Sequence, residues 1–98
     1  MRSLVVTAAA LAFALPATAA PTGQYRATFA EAPAKASFVT RNTIWKCTGA
    51  TCVAPRNGAR DAIMCELAAR EAGTLQSFAV ADAVFDADAL AKCNARAR

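Results

Sequence analysis

Residues 43–54 read "TIWKCTGATCVA": two β-favouring flanks, Thr43–Cys47 and Cys52–Ala54, around a short stretch that holds Gly49. The flanks carry β-branched and aromatic side chains, and Gly49 is free to take a positive φ, so the stretch predicts a β-hairpin with "TGAT" as its loop. In such a hairpin Cys47 and Cys52 face each other across two antiparallel strands, within reach of a disulfide. Trp45 lies two residues before Cys47 and therefore shares its face, where it is placed to cover the bridge.

The strand character extends outward. Toward the N-terminus, "YRATF" alternates Tyr25, Ala27 and Phe29 against Arg26 and Thr28, the period of a half-buried strand. "EAPA" interrupts it at Pro33, and "KASFVTR" resumes β character through Phe38 and Val39. Asn42 is a poor strand residue and predicts a bend or bulge before the hairpin. The N-terminal half thus reads as a meander of three or four short strands. Toward the C-terminus, "APRNGAR" is loop chemistry, with Pro55 and the pair Asn57-Gly58. Helical spacing follows over Asp61–Ala72, with Ile63, Met64, Leu67 and Ala68 on one face, Glu66 and Arg70 as a solvated pair, and Gly73 as the terminating residue. Leu75–Phe85 returns to β character with a turn near Asp82. A second helix then starts at Asp86 as N-cap, with Asp88 in its first turn and Lys92, Arg96 and Arg98 toward its end, as the helix macrodipole favours. Leu90 and Cys93 share the face of that helix that packs on the domain.

The remaining cysteines, Cys65 and Cys93, both fall in helical patterns, and pairing them would pin the two helices together. Four cysteines allow three pairings. In the chain-entropy model Cys47 with Cys52 and Cys65 with Cys93 contribute roughly 2.2 and 3.6 kcal/mol, whereas the crossed pairings total roughly 7 kcal/mol. Entropy alone would favour the crossed arrangement, but a bridge also needs Cα atoms about 4.4 to 6.8 Å apart, and the hairpin supplies that for Cys47 and Cys52. The reading is therefore Cys47 with Cys52 and Cys65 with Cys93. Two other uses of Cys47 and Cys52, a thiol-redox centre or a metal site, have less behind them. The spacing C-x4-C-x12-C-x27-C lacks the close pairs of a zinc site, the chain has no histidine, and a redox pair is expected as C-x-x-C.

The first residues, "MRSLVVTAAALAFALPATAA", join one basic residue to a short apolar run and a small-residue cut site. The run from Leu4 to Leu15 is too short for a bilayer span, which takes about 20 residues. It describes a secretory signal peptide over residues 1–19, with cleavage between Ala19 and Ala20, leaving residues 20–98 as a single small domain with no transmembrane span. An exported chain meets an oxidising compartment, periplasmic or extracellular, where an even number of cysteines forms a disulfide framework. The framework is needed: much of the 56% hydrophobic content is alanine, and a small domain with few large apolar side chains is marginal without cross-links.

Composition also excludes. The net charge of +4 falls to +3 once Arg2 is removed, and the cations are scattered, so no nucleic-acid partner is expected. Without histidine there is no His-dependent triad, and neither Ser37 nor Ser77 has an evident partner base. No cofactor motif is present. A non-catalytic binding or structural module of the cell envelope is the expected function, its partner an envelope protein or a cell-wall component. A small inhibitor or accessory subunit of an envelope enzyme is the alternative. The candidate contact surface is a strand edge near Tyr25–Phe29 or the face carrying Trp45, against the plainer expectation that Trp45 is buried over its neighbouring disulfide.

Taken together, "TIWKCTGATC", "CELAAREAG", Phe78 and "LAKCN" resemble a family of small, signal-bearing, uncharacterised proteins of alphaproteobacteria, marked by a W-x-C-x-G-x-x-C hairpin and a C-terminal L-A-K-C-N helix. The resemblance runs from about Thr43 to Asn94. It implies export and one disulfide-bonded domain, and it supplies no reaction and no functional residue. The fold class expected is α+β: a small antiparallel meander with hairpins, packed with two short helices and stapled by two disulfides.

Overall fold

A computed structural model describes residues 24–97. The expected signal peptide over residues 1–19 and its expected cut between Ala19 and Ala20 lie outside the described residues. The fold is α+β: strands β1 (Gln24–Phe29), β2 (Ser37–Thr40), β3 (Thr43–Thr48) and β4 (Thr51–Pro55), helix α1 (Asp61–Ala72), strands β5 (Leu75–Val80) and β6 (Ala83–Val84), and helix α2 (Ala87–Asn94). The six strands form one antiparallel sheet in the order β2-β3-β4-β1-β5-β6.

β2, β3 and β4 form the expected meander, of three strands, while β1 returns to lie beside β4, which makes the first four strands a Greek key. β4 and β5 run in the same direction, joined through α1, and β1 fills the slot between them as their common antiparallel partner. Tyr25–Phe29 is therefore an interior strand and offers no edge. The bend expected at Asn42 takes the form of a hairpin turn: Arg41 and Asn42 both take positive φ, 46° and 64°, and close a two-residue turn of the I′ kind, whose twist matches the strands it joins. The β3–β4 loop is likewise two residues, because Thr48 and Thr51 pair; Gly49, at φ 60°, occupies its first central position.

One face of the sheet carries the core. Tyr25, Ala27 and Phe29 of β1, Trp45 of β3, Cys52 and Ala54 of β4, and Leu75, Phe78 and Val80 of β5 all point under the helices and are buried. The helices meet them with Met64, Cys65, Ala68 and Ala69 of α1 and Cys93 of α2. The buried stripe of α1 thus lies one residue on from the expected face: Ile63 and Leu67 are only part-buried, because Cys65 turns inward to its partner on α2. Gly73 ends α1 as anticipated, its N–H donating to the Ala69 carbonyl at 2.9 Å. Among the described residues the ion pair found is Arg56–Asp61, at 3.3 Å, rather than Glu66–Arg70.

Both disulfides follow the expected pairing. Cys47 donates its backbone N–H toward β2, to the Ala36 carbonyl at 2.8 Å, so opposite Cys52 it occupies a non-hydrogen-bonded position. Such positions bring opposite residues closest, and the Cα atoms stand 3.9 Å apart, closer than the expected range of about 4.4 to 6.8 Å. Cys65–Cys93 ties α1 to α2 across 5.6 Å between Cα atoms.

Candidate functional site

The two contact residues expected from the sequence are both interior. Trp45 and Tyr25 are fully buried, so a contact surface through them is corrected: their rings face the helices and pack on each other at 5.8 Å between centroids. Phe38 stacks on the far side of Trp45 at 5.5 Å, and Phe78 sits 5.9 Å from Tyr25. Each buried polar tip has a partner, as burial requires. Trp45 Nε1 donates to Thr40 Oγ1 at 2.7 Å, and the Tyr25 hydroxyl donates to Asn57 Oδ1 at 3.3 Å. Asn57 also accepts from the Ala59 N–H and donates to the Arg41 carbonyl, which fastens the β4–α1 loop to the β2–β3 turn.

The cysteines are held as disulfides. All four are consumed in bridges, none is free among the described residues, and Cys52, Cys65 and Cys93 are buried. A metal site at Cys47 and Cys52 needs thiolates that the bridge does not supply. Among the described residues no cluster of three potential ligands occurs.

What the sheet leaves open is its second face. Side chains alternate, so every residue flanking a buried one in the strands points away from the helices. The registers line these residues up in ranks across the sheet. The central rank runs Ser37, Lys46, Val53, Arg26, Ala79, Val84, one residue from each strand in order. On one side lies a rank of hydroxyls, Thr48, Thr51, Thr28 and Ser77. On the other, Val39 pairs with Ile44, and Gln24 with Pro55. Neither α1 nor α2, the helices of the described residues, covers this surface. The three large hydrophobic residues that stand most exposed, Val39 at 58%, Ile44 at 53% and Val84 at 69%, are all on it.

Its electrostatics are one-sided. The six strands contain two charged residues, Arg26 and Lys46, and both project from the open face. Every carboxylate of the described chain lies elsewhere: Glu31 in the β1–β2 loop, Asp61, Glu66 and Glu71 in α1, Asp82 in the β5–β6 turn, Asp86 and Asp88 at the start of α2. Arg26 has no salt-bridge partner among the described residues.

A family of unknown function, DUF8200, matches residues 7–95, almost the entire chain. The chain belongs to DUF8200. The match takes in all six strands, both helices, both disulfides and the open face, so the whole architecture of this DUF8200 chain lies within it. No curated protein and no solved structure shows a significant match to it.

Sequence reasoning missed the open face as a unit. Its members are spread over six strands and were individually unremarkable. The available signal was the strand-by-strand alternation combined with the absence of Asp and Glu from every strand.

Proposed function

We propose that this chain is a non-catalytic binding module of the cell envelope, exported by its signal peptide, and that it binds through the open face of the sheet rather than through Tyr25 or Trp45. The observation that carries the reading is the exposure of Val39, Ile44 and Val84 on a sheet face that neither α1 nor α2 covers. An antiparallel sheet with one solvated face is common, but that face is then mostly polar, and β-branched apolar residues are retained there at a cost in solubility. Two disulfides with no free cysteine among the described residues support an oxidising setting. No helix of the described residues is long and apolar enough to cross a membrane, which suits a partner-bound rather than a membrane-spanning module.

The test is site-specific photocrosslinking in the producing cell. A photoreactive residue at Val53, at the middle of the open face, is expected to give a discrete adduct; one at Ala91, exposed on α2, is not. Adducts from Ala91 alone would refute the assignment of the face.

A further inference from the structure

We infer that the partner is a protein presenting two carboxylates on either side of an apolar side chain, with Arg26 as the anchor of the contact; this rests on the open face being the binding surface. Arg26 is on β1 and Lys46 on β3, with Val53 of β4 directly between them in the same rank. Two strand spacings separate the cations, about 10 Å between Cα atoms. Arg26 occupies an interior strand, where its flanks Val53 and Ala79 shield it from water on both sides, and it is part-buried without a salt-bridge partner among the described residues. A half-shielded, unpaired arginine at the centre of a face is the residue type and position that dominate protein interfaces. The exposed Val39–Ile44 pair adds an apolar margin on one side, and the hydroxyl rank of Thr48, Thr51, Thr28 and Ser77 a hydrogen-bonding margin on the other.

Four other occupants fit less well. Nucleobases are gripped by stacking on aromatic side chains, and sugar rings are commonly held the same way. All six aromatic residues in the described chain, Tyr25, Phe29, Phe38, Trp45, Phe78 and Phe85, are committed to the helix-facing core, so the open face has no stacking platform. An anionic bilayer gains about 1 kcal/mol for each basic residue near its surface, too little from two cations without interfacial aromatics. A second copy docked face to face would bring four cations into one interface to which the strands contribute no carboxylate, and uncompensated like charges there are unfavourable. The face spans six strands, about 24 Å, by about 17 Å along them. That footprint is below the roughly 800 Å² per partner of a stable complex, so the contact is a transient one in which charge sets specificity and on-rate.

The experiment uses the full chain with the photoreactive residue at Val53, combined with Arg26→Glu, Lys46→Glu and the charge-keeping Lys46→Arg. Far-ultraviolet dichroism and the absence of alkylatable thiols report that each variant is folded. Should Arg26→Glu not fold, Lys46→Glu, at an exposed position, carries the test. The expected result is a protein adduct whose yield falls at least about tenfold with either glutamate, is kept by Lys46→Arg, falls with added salt, and maps to a peptide bearing Asp or Glu. Replacing that carboxylate with lysine should restore the adduct of Arg26→Glu. An adduct indifferent to both charge reversals would overturn the acidic partner while leaving the open face as the interface. Charge-dependent sedimentation with isolated peptidoglycan, or with vesicles of phosphatidylethanolamine and phosphatidylglycerol, without any protein adduct would overturn the protein as partner. A product of twice the chain's own mass would replace it with self-association. No adduct from Val53 at all defeats the inference together with the reading beneath it.

Discussion

Trp45 and Tyr25 are the largest side chains in the core, and each depends on one modest polar residue. Thr40, itself 4% exposed, is the acceptor for the buried Trp45 indole N–H. Thr40→Val keeps the shape and removes the acceptor, and an unmet buried donor costs about 1–3 kcal/mol. We expect a loss of that size in urea unfolding with an unchanged m-value, and Thr40→Val combined with Trp45→Phe, which removes the donor as well, should lose less than the sum of the two single losses. Asn57 serves Tyr25 in the same way. Neither relation was legible in the sequence, where Thr40 is one more β-branched strand residue and Asn57 one half of a turn dipeptide. A different residue-scale signal is backbone strain. Ala81 holds φ 52° in the β5–β6 turn, a conformation that disfavours a Cβ. Glycine would relieve that at some cost in unfolded-chain entropy, so Ala81→Gly is expected to raise stability by about 0.5 kcal/mol, read as a higher urea midpoint.

At the scale of elements, local chemistry was largely legible. The bounds of α1, its ending at Gly73, and the Asp86 cap of α2 were all readable, and the Asp86 carboxylate does accept from the Ala89 N–H at 2.8 Å. These features depend on residues within one turn of each other. The docking of α2 does not. Eight residues make a helix too short to persist alone, and two attachments hold it: Cys65–Cys93, and Asn94, whose side chain both accepts from and donates to the Leu75 backbone at 2.8 Å. The bridges should therefore differ in effect. Replacing Cys65 and Cys93 by alanine is expected to cost about 3.6 kcal/mol in the chain-entropy model and to expose the α2 amides to hydrogen exchange. Replacing Cys47 and Cys52 costs about 2.2 kcal/mol, since it closes a short loop in a hairpin that the strand ladder already holds. Equal losses, or protected α2 amides in the first variant, would count against this division.

For the whole molecule, the two bridges together contribute on the order of 6 kcal/mol, comparable to the entire stability of a small domain. Full reduction is expected to leave the chain mostly unfolded at ambient temperature, which circular dichroism with and without reductant would show. A reduced protein as resistant to urea as the oxidised one would remove the structural role given to the sulfurs. The open face, by contrast, contributes little to folding. Arg26→Ala and Lys46→Ala together should leave the melting temperature within a few degrees, because neither has an ion-pair partner among the described residues to lose.

The amino-acid sequence by itself determined the strand and helix segments, the α+β class and the cysteine pairing, because alternation, capping and hairpin geometry act over a few neighbouring residues. Tertiary structure alone decided that β1 slides between β4 and β5, which buries Tyr25 at the middle of the sheet and brings Arg26, Val53 and Lys46 into one rank. The physical reason is that strand order is chosen by pairing between segments about 25 to 55 residues apart, a competition among whole strands that no local pattern records.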